Sequence, residues 1–278
     1  MKIFILMALF VPMTVLAQTR DFCARNRNDI LSLMAQPSAR MAFKNNGGIG
    51  NGGVCWWHSR YQRSSFFLVK YAPEKAKPNW LQLQQIINGI RNMNSVVTIP
   101  GFADFQSFTR AYQNQIQGVL NDWQVFDGVF NFEWIRGISG NSALPPKDME
   151  ARMDAVYQSY RQSPAAMWVL AQMQGISSHA FLVIHMEKVN GGYDMDLIDS
   201  NHPLEVVSLR YQEGDQFLVT NTRDENFVPY VGFQDDFRKI KSSLAGHCRN
   251  KDLEFMADFR DIKDGDVELP RRTSVGPR

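Results

Sequence analysis

Asn45–Arg60 reads NNGGIGNGGVCWWHSR, and the reading of this stretch decides how the rest of the chain is understood. It is polar and glycine-rich up to Gly53, then turns apolar at Val54-Cys55-Trp56-Trp57. Glycines 47, 48, 50, 52 and 53 open backbone conformations closed to other residues and allow close approach to a neighbouring segment. Val54, Trp57 and Tyr61 recur at helical spacing, so a helix is expected to start near Cys55 and run to about Val69, with Arg60 and Arg63 in solvent. A cysteine at a helix N-terminus lies at the positive end of the macrodipole, which favours the nucleophilic thiolate. No Gly-Lys-Ser/Thr follows the loop, so it is not a phosphate-binding P-loop.

Upstream, Met1–Gln18 has the pattern of a secretory signal: Lys2, an apolar run from Ile3 to Leu16, and a small-residue cleavage site at Val15-Leu16-Ala17. A secreted or periplasmic protein without stable membrane insertion is expected. Asp21–Met34 carries Ile30, Leu31 and Met34 on a helical stripe that ends before Pro37. The formal net charge is only +2, and the basic residues are scattered with no aromatic-and-basic stripe, so no nucleic-acid partner is expected. Three cysteines, at 23, 55 and 248, would meet an oxidising compartment. An odd count leaves one over. Cys23 and Cys248 lie at opposite ends of the folded region and are the natural pair, which leaves Cys55 free.

Downstream, Trp80–Met93 places Leu83, Ile86, Ile87, Ile90 and Met93 on one face of an amphipathic helix. Val96–Ile99 is short and β-branched, and Pro100-Gly101 turns the chain. Asp104–Trp123 keeps a 3.6-residue aromatic and aliphatic period and predicts one continuous five-turn helix. Phe126–Leu144 is irregular, and Lys147–Arg161 is helical again until Pro164. The pattern then switches. His179–Val189 and Tyr193–Asp199 are strand-like and joined by Asn190-Gly191-Gly192, a strong hairpin signal. Leu204–Tyr211 and Gln216–Thr220 continue the strands, and Phe237, Ile240, Leu244 and Cys248 share a final helical face. The expected organisation is a signal peptide at 1–18, a helical subdomain at 19–175, an antiparallel β subdomain with a terminal helix at 176–258, and a flexible tail at 259–278.

Three boxes, GGVCWW, SSHAFLVI and DLIDSNHP, stand in that order, and together they resemble the Cys, His and Asp/Asn boxes of papain-like cysteine peptidases, nearest to bacterial members. The resemblance implies an α+β fold in which an N-terminal helical subdomain, carrying the nucleophile helix, packs on a C-terminal antiparallel β subdomain. It implies Cys55 as nucleophile, His179 as its acid–base partner, and Asp199 as the group that orients the imidazole, with Asn201 as the alternative third member. The oxyanion would be held by the Cys55 backbone N–H and a side-chain amide. Here the chain departs from the family pattern, because Ile49 stands where the usual glutamine would be; Asn51 is the nearest amide, with Asn45 and Asn46 further off.

The substrate implied is a peptide, a protein or a cell-wall peptide, with no cofactor and no metal. A cell-wall amidase or transglutaminase variant of the same chemistry, and a catalytically silent binding protein, are the alternatives. Of the other histidines, His58 lies one turn from Cys55 and is expected to line the cleft or be solvated. His185 is expected to pack in the sheet on the side of His179. His202 follows Asp199 and is a further candidate for its role, and His247 looks like a helix C-terminal cation.

Overall fold

The structure is a computed structural model, and it describes residues 22–127, 142–171, 178–220, 223–231 and 234–248. The expected signal peptide, most of the irregular 126–144 stretch and the tail from 259 lie outside these residues. The fold is of the α+β class. Among the described residues, seven α-helices accompany a two-stranded parallel sheet and a six-stranded antiparallel sheet.

The helical half comprises α1 (Arg27–Ala35), α2 (Cys55–Leu68), α3 (Trp80–Asn92), α4 (Phe105–Ala111) and α5 (Gln113–Val125). Local chemistry fixes several of their ends. Asn26 with Asp29, and Asn79 with Gln82, form reciprocal capping boxes at the starts of α1 and α3. Asp104 accepts the Ser107 N–H at 2.7 Å to open α4. The fully buried Arg40 donates to the Met34 and Ala35 carbonyls, both at 2.9 Å, satisfying the last turn of α1. The expected single helix over Asp104–Trp123 is two, broken at Tyr112 (φ −121°, ψ 29°). No Gly or Pro forces this break. Tyr112 lies in a ring cluster with Phe102 and Phe108, centroids 5.6 and 5.4 Å away. Packing there overrides the helical period.

Helix α2 is the axis of the molecule. Every residue from Trp57 to Leu68 is buried, although the sequence holds Ser, Gln, His and Arg among them. Arg60 and Arg63 are therefore in the interior and not in solvent, which corrects the sequence-based expectation. The apolar period marks only the side facing α4 and the N-terminal segment; the polar side is covered too, by the sheet and the last helix. Most of its polar groups find partners there. Arg60 pairs with Asp236 and Asp127, Arg63 donates to Ser163 Oγ at 2.9 Å, and Gln62 exchanges hydrogen bonds with Met41 N–H and the Ala39 carbonyl.

Strand β1 (Val69–Ala72) runs straight on from α2 and pairs in parallel with β2 (Val97–Pro100). Helix α6 (Pro146–Gln162) then leads into the main sheet. This sheet holds β3 (Ala166–Ala171), β4 (Ser178–Val189), β5 (Gly192–Asp199), β6 (Val207–Gln212), β7 (Leu218–Thr220) and β8 (Arg223–Val231), in the order β6-β5-β4-β3-β8-β7. The sheet curls until its end strands β6 and β7 lie side by side. The sequence reading did not anticipate β1, β3 and β8. The hairpin between β4 and β5 turns where expected, with Gly191 at φ +75°.

Two cores result. Leu182, Ile184 and Ile198 join the large core around α2, whereas Phe181, Val183, Met195 and Leu197 join Met149, Met153 and Val156 of α6. Alternation along β4 thus feeds both cores until a register shift between Val183 and His185. That bulge turns His185 to the surface, where it is exposed and not packed as expected. Helix α7 (Gln234–His247) closes the chain onto α2 through Phe237, and Cys23 is disulfide-bonded to Cys248 as expected, with Cys55 free. Among the described residues, no helix is long and apolar enough to cross a membrane.

Candidate active site

Cys55 is the first residue of α2, so its thiol sits where the helix N–H groups are unpaired. The turn that delivers it uses backbone conformations that glycine adopts without strain. Gly47, Gly48, Gly50 and Gly53 all have positive φ, between +62° and +89°. A Cβ on Gly53 would come within 2.5 Å of the Asn45 amide nitrogen. Three amides on one face of α5 hold the loop from the other side. Asn121 Oδ1 accepts the Gly48 N–H at 3.1 Å, and Gln124 Oε1 accepts that of Ile49 at 2.7 Å. Gln124 Nε2 donates to the Gly53 carbonyl at 2.9 Å, and Gln117 Nε2 donates to that of Asn46 at 2.8 Å. The sequence reading passed over this row, yet its spacing of four and then three residues beside the Ile116, Leu120, Trp123 stripe is legible in the sequence.

His179 stands at the start of β4 and Asp199 at the end of β5. The register pairs Asp199 with Phe181, so the two residues are diagonal neighbours on one face and not directly opposite. Asp199 Oδ1 lies 2.6 Å from His179 Nε2, and both residues are buried, at 0% and 3% exposure. Phe181 packs at nearly a right angle to the imidazole, 4.9 Å between centroids. With Nε2 committed to Asp199, Nδ1 is the ring nitrogen left for the Cys55 thiol, which is half-buried and in hydrogen-bonding contact with His179. The sulfur also lies 3.9 Å from the Ser178 carbonyl oxygen.

Electrostatics follow from these contacts. Burial pushes the Cys55 thiol up, but the His179 charge and hydrogen bond, together with backbone N–H donors of Ala180 and Trp56, outweigh it and hold the thiol below its ordinary value. Burial pushes His179 down, and the Cys55 charge and the bonds to Asp199 and Cys55 more than reverse it, so the imidazole is held above its ordinary value. Both shifts favour the same state, thiolate beside imidazolium.

The remaining candidates are placed as follows. Asn51 is exposed at the tip of the loop with φ 57°. Asn201 does not take the imidazole. Its backbone N–H donates to Asp199 Oδ1 at 2.8 Å, and its side-chain oxygen accepts from Asn45 Nδ2 at 3.2 Å. His202 is exposed. His58 is neither solvated nor lining the cleft, since it is 1% exposed with Nε2 2.9 Å from the Phe43 carbonyl oxygen. Burial pushes its pKa down to about 4, so it is neutral, with Nε2 donating. His247 stands in the last turn of α7 as expected, packs at nearly a right angle to Phe22 at 5.7 Å, and has its pKa lowered by burial and by Lys70. Among the described residues, no group of three or more His, Cys, Asp or Glu side chains is arranged to hold a metal ion.

What fold and site define together is a coarse class: an α+β protein with a helix-terminal cysteine beside a histidine that is hydrogen-bonded to an aspartate. Comparisons with family models, with curated proteins and with solved structures found no match.

Proposed function

We propose that the protein is an exported papain-like cysteine hydrolase that cleaves peptide or related amide bonds through a Cys55-His179-Asp199 triad. The observation that supports this reading is the contact chain itself: helix-terminal sulfur to imidazole, imidazole Nε2 to Asp199 Oδ1 at 2.6 Å. The thiolate attacks the carbonyl carbon, and the carbonyl π electrons move onto oxygen, which the Cys55 backbone N–H at the start of α2 can receive. As the tetrahedral adduct collapses, His179 gives its proton to the leaving amine and the acyl group stays on sulfur as a thioester. Water, deprotonated by the now neutral His179, attacks that thioester; the acid leaves and the thiolate–imidazolium pair is restored. Asp199 holds the ring in position and stabilises its charged form throughout. Export is supported by the disulfide, which persists in oxidising compartments, and by the pattern of the first eighteen residues.

The test is alkylation of the folded, oxidised protein with iodoacetamide at roughly pH 6, where an ordinary thiol of pKa about 8.5 is almost wholly protonated. A non-reducing peptide map should show rapid label on Cys55 alone beside a linked Cys23–Cys248 peptide. Activity on a peptide amide should rise as pH passes the lowered thiol value and fall as it passes the raised imidazole value. A Cys55 that reacts only at the rate of an ordinary thiol defeats the proposal. Rapid alkylation without turnover of any peptide would favour a binding protein built on the same site.

A further inference from the structure

We infer that Asn45 is a positioning residue, the latch that holds the Cys55 helix start against the His179–Asp199 hairpin; the inference rests on the hydrolase reading above. Asn45 belongs to neither wall of the site alone. Its backbone N–H donates to the Ser200 carbonyl at 2.7 Å, joining the glycine loop to the turn after Asp199. Its side-chain Oδ1 accepts the Val54 N–H, immediately before Cys55. Its Nδ2 donates to Asn201 Oδ1 at 3.2 Å.

The chemistry fixes which way this amide points. The Val54 N–H can only donate, so Asn45 must present its oxygen there, and its nitrogen is left to face Asn201. Asn201 then presents its own oxygen, while its backbone N–H goes to Asp199 Oδ1, the atom that also holds the imidazole. A continuous run of hydrogen bonds therefore leads from the residue before the nucleophile, through Asn45 and Asn201, to the carboxylate behind His179. It also explains the glycine at 53. That residue sits at φ +89°, and any Cβ there would meet the Asn45 amide. Asn45 is not the oxyanion donor, because its N–H groups face the Asn201 turn.

Thiol–imidazole pairing decays steeply with misplacement, and an ångström of error can cost about 10²-fold in rate. The test is the pH profile of iodoacetamide alkylation at Cys55 in wild type, Asn45→Ala, Asn201→Ala and the double variant, with thermal midpoints recorded beside it. Asn45→Ala is expected to slow alkylation at roughly pH 6 by about tenfold or more and move the acid limb towards that of an ordinary thiol. At about pH 10, where any accessible thiol is ionised, its rate should match wild type, which separates lost pairing from lost access. Because both side chains act through one bond, the double variant should equal the worse single variant. Asn201→Ala cuts that bond from the other side and serves if Asn45→Ala does not fold. An unchanged acid limb in the single variants, or effects that multiply in the double, overturns the latch. A wild-type Cys55 that already behaves as an ordinary thiol instead overturns the hydrolase reading beneath it.

Discussion

At its first residue, helix α2 brings Cys55 to His179 and Asp199; roughly a turn and a half further on, the same helix brings Arg60 to Asp127 and Asp236. Both clusters are buried and both hold charge, yet they are made of different materials. Arg60 is charged at every relevant pH, its fork meets Asp236 at 2.7 and 2.9 Å and Asp127 at 2.8 Å, and its guanidinium also lies over Trp123 at 4.5 Å. No proton transfer can empty that cluster. In the proposed hydrolase the charges at Cys55 arise only as the thiol passes a proton to the imidazole, with one carboxylate behind them. A helix can thus carry a permanent ion cluster as structure and a convertible one as chemistry, and the choice between Arg and His decides which.

Three experiments test this contrast. The largest effect belongs to the convertible cluster. Cys55→Ala should cut turnover of a peptide amide by about 10⁴-fold or more, whereas Asp199→Asn, which disturbs only ring orientation and charge, should leave residual activity on the order of 10² below wild type. If both substitutions cost the same, Asp199 does more than position the ring. Next comes the permanent cluster. Arg60→Met removes the countercharge closest to two buried carboxylates and should lower unfolding free energy in urea by about 3–5 kcal/mol. The alkylation profile of Cys55 in the surviving folded protein should not change. A shift in that profile would show that the two clusters are coupled and not merely neighbours.

The smallest effect concerns His58, which lies between the clusters in sequence and is buried neutral. Its folded pKa of about 4 lies below the unfolded value of about 6.5, so the unfolded chain binds the extra proton between these limits. Stability should therefore fall as pH drops through that window, by on the order of 3 kcal/mol in total from this residue. In His58→Gln the contribution disappears, and the difference between the two unfolding curves measured from about pH 7 to pH 4 isolates it. Parallel curves would mean that the ring is charged in the folded protein after all.

These contrasts also mark what the sequence could and could not disclose. Cys55, His179 and Asp199 were readable because each stands at an element boundary with its own local signal: a glycine loop breaking into a helix, an apolar strand opening, a hairpin arm closing. The Cys23–Cys248 bond was readable from count and placement. The interior Arg60 and Arg63 were not, since a hydrophobic period reveals only the apolar side of a helix. Nothing local says that a polar side will be roofed by a sheet and a final helix more than a hundred residues away. His185 escaped because a bulge at a single peptide reverses the alternation on which its placement was argued. The break at Tyr112 escaped because no Gly or Pro marks it; the residue sits among the rings of Phe102 and Phe108.

The bond between Cys23 and Cys248 spans 225 positions of sequence, and this orders events during synthesis. Emerging at about 5–20 residues per second, the chain exposes Cys23 for some tens of seconds before its proper partner arrives. Throughout that interval the thiol within reach is Cys55. A bridge between those two would consume the sulfur on which the proposed chemistry depends. Cys55 is spared only if α1 and α2 seat early, fixing it at a helix start while Cys23 waits. A pulse-chase on non-reducing gels should then show Cys23 still reduced in chains shorter than about residue 248, and a population bridged to Cys55 would contradict that order. On this view the early seating of α1 on α2 acts as a timekeeper for oxidation, keeping one thiol out of circulation until the last cysteine has been made.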